Sequence, residues 1–174
     1  MKVEFYLLPA AALVIATPLR AEVFLTVEQA QGVIFPGASF TKDFRTLSNA
    51  QAAAIEEASG ANVRNRALQA WRVSNGGWFI IDEVVGKHDF IPIALGLNAD
   101  GSVKAVEILE YREAYGGEVR NPKWLAQFTG KKNGARLELA GDIQNISGAT
   151  LSSKHITDGV RRLLATHAAV LANH

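Results

Sequence analysis

Apolar residues recur along this chain with two periods, and the switch between them marks out the elements. Thr26 followed by Gln29 has the spacing of a capping box, so a helix is expected from there to about Ile34, where Phe35-Pro36-Gly37 stops it. Ser48 and Gln51 repeat the device and open a second short amphipathic helix, Asn49–Ser59, closed by Gly60. From Val63 onward the period falls to two. Residues 70–73 and Trp78–Val85 flank Ser74-Asn75-Gly76-Gly77, and residues 91–97 and 103–111 flank Asn98-Ala99-Asp100-Gly101, which predicts two hairpins and about four antiparallel strands before position 112. In the last of these strands Val103, Ala105, Ile108 and Leu109 are apolar, so the alternation slips midway.

A glycine-bearing loop over 113–122 leads into a short helical stretch, 123–128, ending at Gly130, and residues 136–139 read as one more strand. The helical period then returns strongly. Ile156, Val160, Leu163, Leu164, His167, Ala168 and Leu171 form one apolar stripe, with Ser152 or Ser153 as the expected cap at its start. The sum is an α+β domain: an antiparallel sheet packed with short N-terminal helices and a C-terminal amphipathic helix. A chain of 174 residues with 48% hydrophobic residues has material for one core of ordinary size.

Composition narrows the chemistry. Residues 1–21 read as a secretory signal peptide, with Lys2 ahead of an apolar run over 7–16 and Ala21 at a small-residue cleavage position; the alternative is an uncleaved membrane anchor. The domain would then occupy 22–174. Taking away residues 1–21 removes Lys2 and Arg20 from the 18 basic residues and Glu4 from the 17 acidic ones, leaving 16 of each. A neutral chain without an arginine- or lysine-rich stripe has no footprint for a phosphate backbone, so nucleic acid is not an expected partner. Export, with a periplasmic or otherwise extracytoplasmic location, is the expectation. With no cysteine in the chain there is no disulfide framework, no thiolate cluster and no C-x-x-C-H haem attachment, so redox chemistry would need an organic cofactor. The four histidines, His88, His155, His167 and His174, lack metal-site spacing, and no metal is expected.

The segment from Asn145 to Ser153, Asn-Ile-Ser-Gly-Ala-Thr-Leu-Ser-Ser, lies directly before the C-terminal helix. A helix start presents unpaired N–H groups and partial positive charge, which suits a phosphate. Gly148 and Ala149 would let a ligand come close to the backbone, while the hydroxyls of Ser147, Thr150, Ser152 and Ser153 offer donors. The same residues also make an ordinary turn and helix cap, and spacing alone leaves both readings open.

Ser147-Gly148-Ala149-Thr150, followed by Leu151-Ser152-Ser153, resembles the flavinylation motif of the FMN-binding domain family, which includes the flavin subunits of the Rnf and Nqr electron-transport complexes. Upstream, Glu113-Ala-Tyr-Gly-Gly-Glu, then Trp124, Phe128 and Gly130, follow the order of the family's glycine loop and aromatic pair. The loop departs from the family in carrying Ala114 and Tyr115, and Gln144 stands where an acidic residue is usual, with Asp142 nearby. The resemblance implies FMN joined through its phosphate to the Thr150 hydroxyl as a phosphoester, installed by a flavin transferase that uses FAD. Glu113, Tyr115, Gly116 and Gly117 are the ring-side candidates, with Glu118 as a further acidic contact. His88 could face the cofactor or sit in a surface turn, His155 could donate to the phosphate or face solvent, Lys131 and Lys132 could balance the phosphate charge from across the sheet, and Trp124 is expected in the core.

A covalent phosphate prevents loss of the cofactor where free FMN is scarce, and leaves the protein to tune the ring by burial, charge and hydrogen bonds. The reading that follows is an exported electron-transfer flavoprotein, a carrier rather than a self-contained enzyme, working between a membrane reductase or cytochrome and an acceptor. Two others stand beside it: a cofactor-free exported module binding an anion or a protein, and an enzyme with noncovalent flavin.

Overall fold

A computed structural model describes residues 22–113 and 116–172. The expected signal peptide, Ala114 and Tyr115 lie outside the described residues. The described residues begin with strand β1 (Glu22–Val23) and helix α1 (Val27–Ile34), followed by β2 (Phe40–Lys42), β3 (Arg45–Thr46) and α2 (Asn49–Ser59). Four longer strands follow, β4 (Ala67–Val73), β5 (Trp78–Val85), β6 (Phe90–Leu97) and β7 (Val103–Ile108), then the short β8 (Glu110–Tyr111). After a tight turn at Gly117–Arg120 come α3 (Pro122–Leu125), a further tight turn at Ala126–Phe128, and the long helix α4 (Thr150–Thr166), which widens into a π-type turn at His167–Leu171.

The two N-terminal helices start as their sequences predict. In α1, Thr26 accepts from the Gln29 amide while the Gln29 side chain accepts from the Thr26 amide; in α2, Ser48 and Gln51 make the same reciprocal pair. Gly60 ends α2 in the left-handed region.

The principal sheet is antiparallel, in the order β2-β4-β5-β6-β7, with β3 alongside β4. Alternation along the central strands sends Trp78, Ile80 and Val84 of β5 and Ile91, Ile93, Leu95 and Leu97 of β6 to one face. There they meet Ile156, Val160, Leu163 and Leu164 of α4 and Ile55 of α2 in the larger core. Phe79 and Ala94 point the other way and pack with Ala30 and Ile34 of α1, and with Phe35 just after it, in a second cluster that includes Trp71 and Leu109. Helix α4 lies close to the sheet because Gly159 has no side chain: a Cβ there would sit 2.4 Å from Cγ1 of Val84. The ion pair between Arg162 and Asp82, 2.5 Å, fixes the same helix to β5.

Three local expectations are corrected. The strand expected over 103–111 divides at Leu109. Ile108 belongs to the α4 side and Leu109 to the α1 side, but Tyr111 returns to the α4 side, so the chain breaks register and Glu110–Tyr111 pairs with Glu22–Val23 instead. Residues 136–139 form no strand: Leu137 and Ala140 both have positive φ, and only an isolated bridge joins Leu139 to Ile143. Leu137 is buried in this irregular stretch without any ladder. Finally, α4 begins at Thr150 with Ala149 at the cap position and no side-chain cap, so neither Ser152 nor Ser153 caps it; both are buried in the first turns.

Candidate functional site

The start of α4 opens on the largest described cavity, about 600 Å3, a volume typical of small-molecule sites. It is lined by the run Ser147 to Ser152 and by Lys87, His88, Glu113, Gly116 and Glu118. The predicted phosphate segment and the predicted ring-side loop therefore meet around one space. Two of the expected residues stand outside its lining: Gly117, which opens the Gly117–Arg120 turn, and Ser153, which is fully buried with its hydroxyl unpartnered.

The approach to the motif is held from behind. Trp124, in the core as expected, donates its indole N–H to the Gln144 carbonyl at 2.7 Å, and the Gln144 amide donates to Oε1 of Gln127 at 2.9 Å. Asp142, two residues earlier, accepts from the Glu138 amide at 2.8 Å and pairs with Lys131 at 2.6 Å. Those contacts, in that order, hold its carboxyl down to about 2. Lys131 is paired with Asp142 and Lys132 with Asp100, and neither lysine is among the residues lining this cavity.

Gly148 takes a φ of +84° with open space around it, a conformation that a side chain would strain. That bend turns the chain into α4 and leaves Ser147, Gly148, Thr150 and Leu151 exposed, with Ala149 buried beneath. The Thr150 hydroxyl accepts from the Asn145 side-chain amide at 3.2 Å. Both α1 and α2 have their first amides satisfied by a capping box, whereas α4 starts on an alanine that offers none. An uncapped helix start beside an exposed hydroxyl is what a phosphate requires: N–H donors, the positive end of the helix and a point of attachment.

Behind the lining lies Tyr111, a buried floor on which lining residues rest, with its hydroxyl 3.2 Å from Oγ of Ser152. Burial raises the phenol's pKa, so the group stays neutral and able to donate. Gly116 packs on this floor: a Cβ there would lie 2.7 Å from the Tyr111 hydroxyl and 2.8 Å from Cβ of Ala149. Neither Tyr111 nor Lys87 stood out in the sequence. The break in alternation between Ile108 and Tyr111 is the one local sign that Tyr111 leaves the regular ladder; for Lys87, far from the motif in sequence, no local sign exists. His88 lines the cavity from its exposed turn. His155 points away from the phosphate segment, its Nδ1 bonded to the Val85 carbonyl.

The residues present therefore fit a flavin phosphate at α4 with the bulk of the ligand in the adjoining cavity. Among the described residues no helix is long and apolar enough to cross a membrane. The sequence profile of the FMN-binding domain matches residues 86–165, which contain the lining residues of this cavity. The chain is also 33% identical over 79 residues to a component of the Na(+)-translocating ferredoxin:NAD(+) oxidoreductase complex of Acetobacterium woodii, an alignment covering 40% of this chain and 38% of that component. The chain thus matches about two fifths of that relative's length. Over residues 86–165, the chain thus matches the FMN-binding domain family.

Proposed function

We propose that this protein is an exported electron-transfer flavoprotein carrying FMN as a phosphoester on Thr150. The observation that carries the reading is the cavity of about 600 Å3 opening on the exposed Thr150 residue at the uncapped start of α4, within the segment that matches the FMN-binding domain. The similarity to a component of an oxidoreductase complex supports a role in passing electrons between partner proteins.

In the proposed maturation, a flavin transferase moves the FMN group from FAD to the chain. The Thr150 hydroxyl loses its proton, its oxygen bonds to phosphorus, the pyrophosphate bond of FAD breaks, and AMP leaves. The chain's own part is to expose that oxygen, held by Asn145, and to offer the amides of the first turn to the phosphate oxygens. FMN supplies reversible electron uptake in one- or two-electron steps. The residues lining the cavity would shield part of the ring from water and bring polar groups to it. A location outside the cytoplasm and a membrane reductase or cytochrome as redox partner complete the proposal; covalent attachment is the device that keeps the cofactor where none is supplied.

The test is the intact mass of denatured, washed protein co-expressed with a flavin transferase. The expected result is an added mass of FMN less water on the peptide holding Thr150, absent from Thr150→Ala and present in part in Thr150→Ser. Wild-type protein without that mass defeats the covalent reading, and colour that washes out on denaturation identifies noncovalent FMN.

A further inference from the structure

The Lys87–Asp89 turn, between β5 and β6, contributes Lys87 and His88 to the lining of the cavity that also includes the start of α4. Its own ladder gives it one closing bond, from the Gly86 amide to the Asp89 carbonyl at 2.7 Å. The other support comes from Glu113, 25 residues away in sequence from His88, whose Oε1 accepts from the His88 amide at 2.7 Å and from the Asp89 amide at 3.2 Å. The fit is close on the other side as well, because a Cβ on Gly86 would lie 2.3 Å from that oxygen. Burial alone would raise the Glu113 pKa, but the amides of His88, Asp89 and Lys87, with the His88 ring nearby, outweigh it and hold the carboxyl below its usual value. A carboxylate whose oxygen is engaged by backbone amides is a clamp, and its orientation is set by the turn it holds.

Resting on the reading of FMN at Thr150, we infer that Glu113 is a positioning residue that fixes the Lys87–Asp89 turn, so that Lys87 and His88 act on the flavin and favour its reduced form. Glu113 by itself would do the opposite, since a carboxylate at the ring opposes added electrons; tied to the turn, it delivers an ammonium and an imidazole to the cavity wall instead. Positive charge and N–H donors beside the cofactor stabilise the state that has gained electrons, and so raise the reduction potential. The electrons come from the donor protein and leave to the acceptor; the turn changes the equilibrium, not their number.

Two measurements test this. In the flavin-free chain, Glu113→Ala is expected to speed hydrogen exchange at the His88 and Asp89 amides about tenfold, the loss of a bond near 1.4 kcal/mol, while Glu113→Gln, which keeps a carbonyl acceptor, preserves most of the protection. In the flavin-loaded chain, Lys87→Gln is expected to lower the equilibrium constant for reduction about tenfold, equivalent to about 30 mV for a two-electron couple, and Glu113→Ala to lie below Glu113→Gln, since both remove the carboxylate charge and only Gln keeps an acceptor for the turn. Lys87 is an exposed turn residue, so Lys87→Gln decides the matter even if Glu113→Ala does not fold. Loaded variants with the wild-type potential overturn this inference and leave the FMN reading intact. A wild-type chain that takes up no flavin overturns both.

Discussion

The indole N–H of Trp124 donates to the main-chain oxygen of Gln144 across 2.7 Å, so a helix twenty residues upstream holds the segment that enters the Thr150 motif. Trp124→Phe keeps an aromatic ring against Phe128, at present 5.3 Å away and edge-on, but removes the donor. The expected loss is about 1 kcal/mol, one net hydrogen bond, read from urea unfolding. Attachment of FMN, followed by mass over time, should slow as the approach to the motif loosens. Unchanged attachment would confine Trp124 to a structural role.

Glycine at two positions meets different demands, and the difference is measurable. Gly148 has positive φ in open space, so Gly148→Ala adds backbone strain alone, about 1–2 kcal/mol. Gly116 has φ of +88° and would also drive a methyl group onto Tyr111 and Ala149. Gly116→Ala should therefore cost more, by a further 1–3 kcal/mol or so, and disturb the cavity floor. Thermal unfolding of the two variants side by side gives the order; equal losses would contradict the contact described at Gly116.

Burial lowers the pKa of His167 below its ordinary 6.5, and a Cβ on Gly101 would lie 3.0 Å from the ring. The unfolded chain therefore binds a proton that the folded chain resists. Stability is full above pH 6.5 and falls as pH drops from there toward the folded pKa. His167→Gln should flatten this part of the curve of unfolding free energy against pH. Asp43 acts in a lower window: the hydrogen bond from Arg45 first, against burial, and then that from Arg72 hold it at about 2, so its contribution is lost between pH 3.8 and 2.

Asp82 and Arg162 join β5 to α4 through two bonds, at 3.1 and 2.5 Å, with both side chains largely buried. Removing the carboxylate leaves the guanidinium with carbonyls alone, those of Asn62 and Glu83. Asp82→Ala should cost about 1.5–3 kcal/mol in denaturant unfolding. Arg162 lies three helical turns past Thr150, so the loaded variant should keep its cofactor mass.

Local signals carried far in this chain. Thr26 with Gln29 and Ser48 with Gln51 could be read directly because a capping box is complete within four residues. The pairs of strands around Ser74–Gly77 and Asn98–Gly101 were legible for the same reason. The stretch over 136–139 misled because Leu137 and Leu139 satisfy an alternating pattern while the positive φ of Leu137 prevents a ladder. Strands β2 and β3 went unseen, being two or three residues long and stabilised by partners on β4. Ser152 has the right chemistry for a cap but is drawn to Tyr111 by tertiary packing. The candidate site divides likewise: its Ser147 to Ser152 part is contiguous and readable, whereas the Lys87 part exists only once β5 and β6 have paired and Glu113 has closed on their turn.

Strand β1 is hydrogen-bonded to β8, with Glu22 opposite Tyr111. The first described residues are therefore held beside the residue that lies behind the cavity lining. Two residues at the front of the described chain thus brace the cavity from the rear, so trimming them would loosen the site without touching its lining.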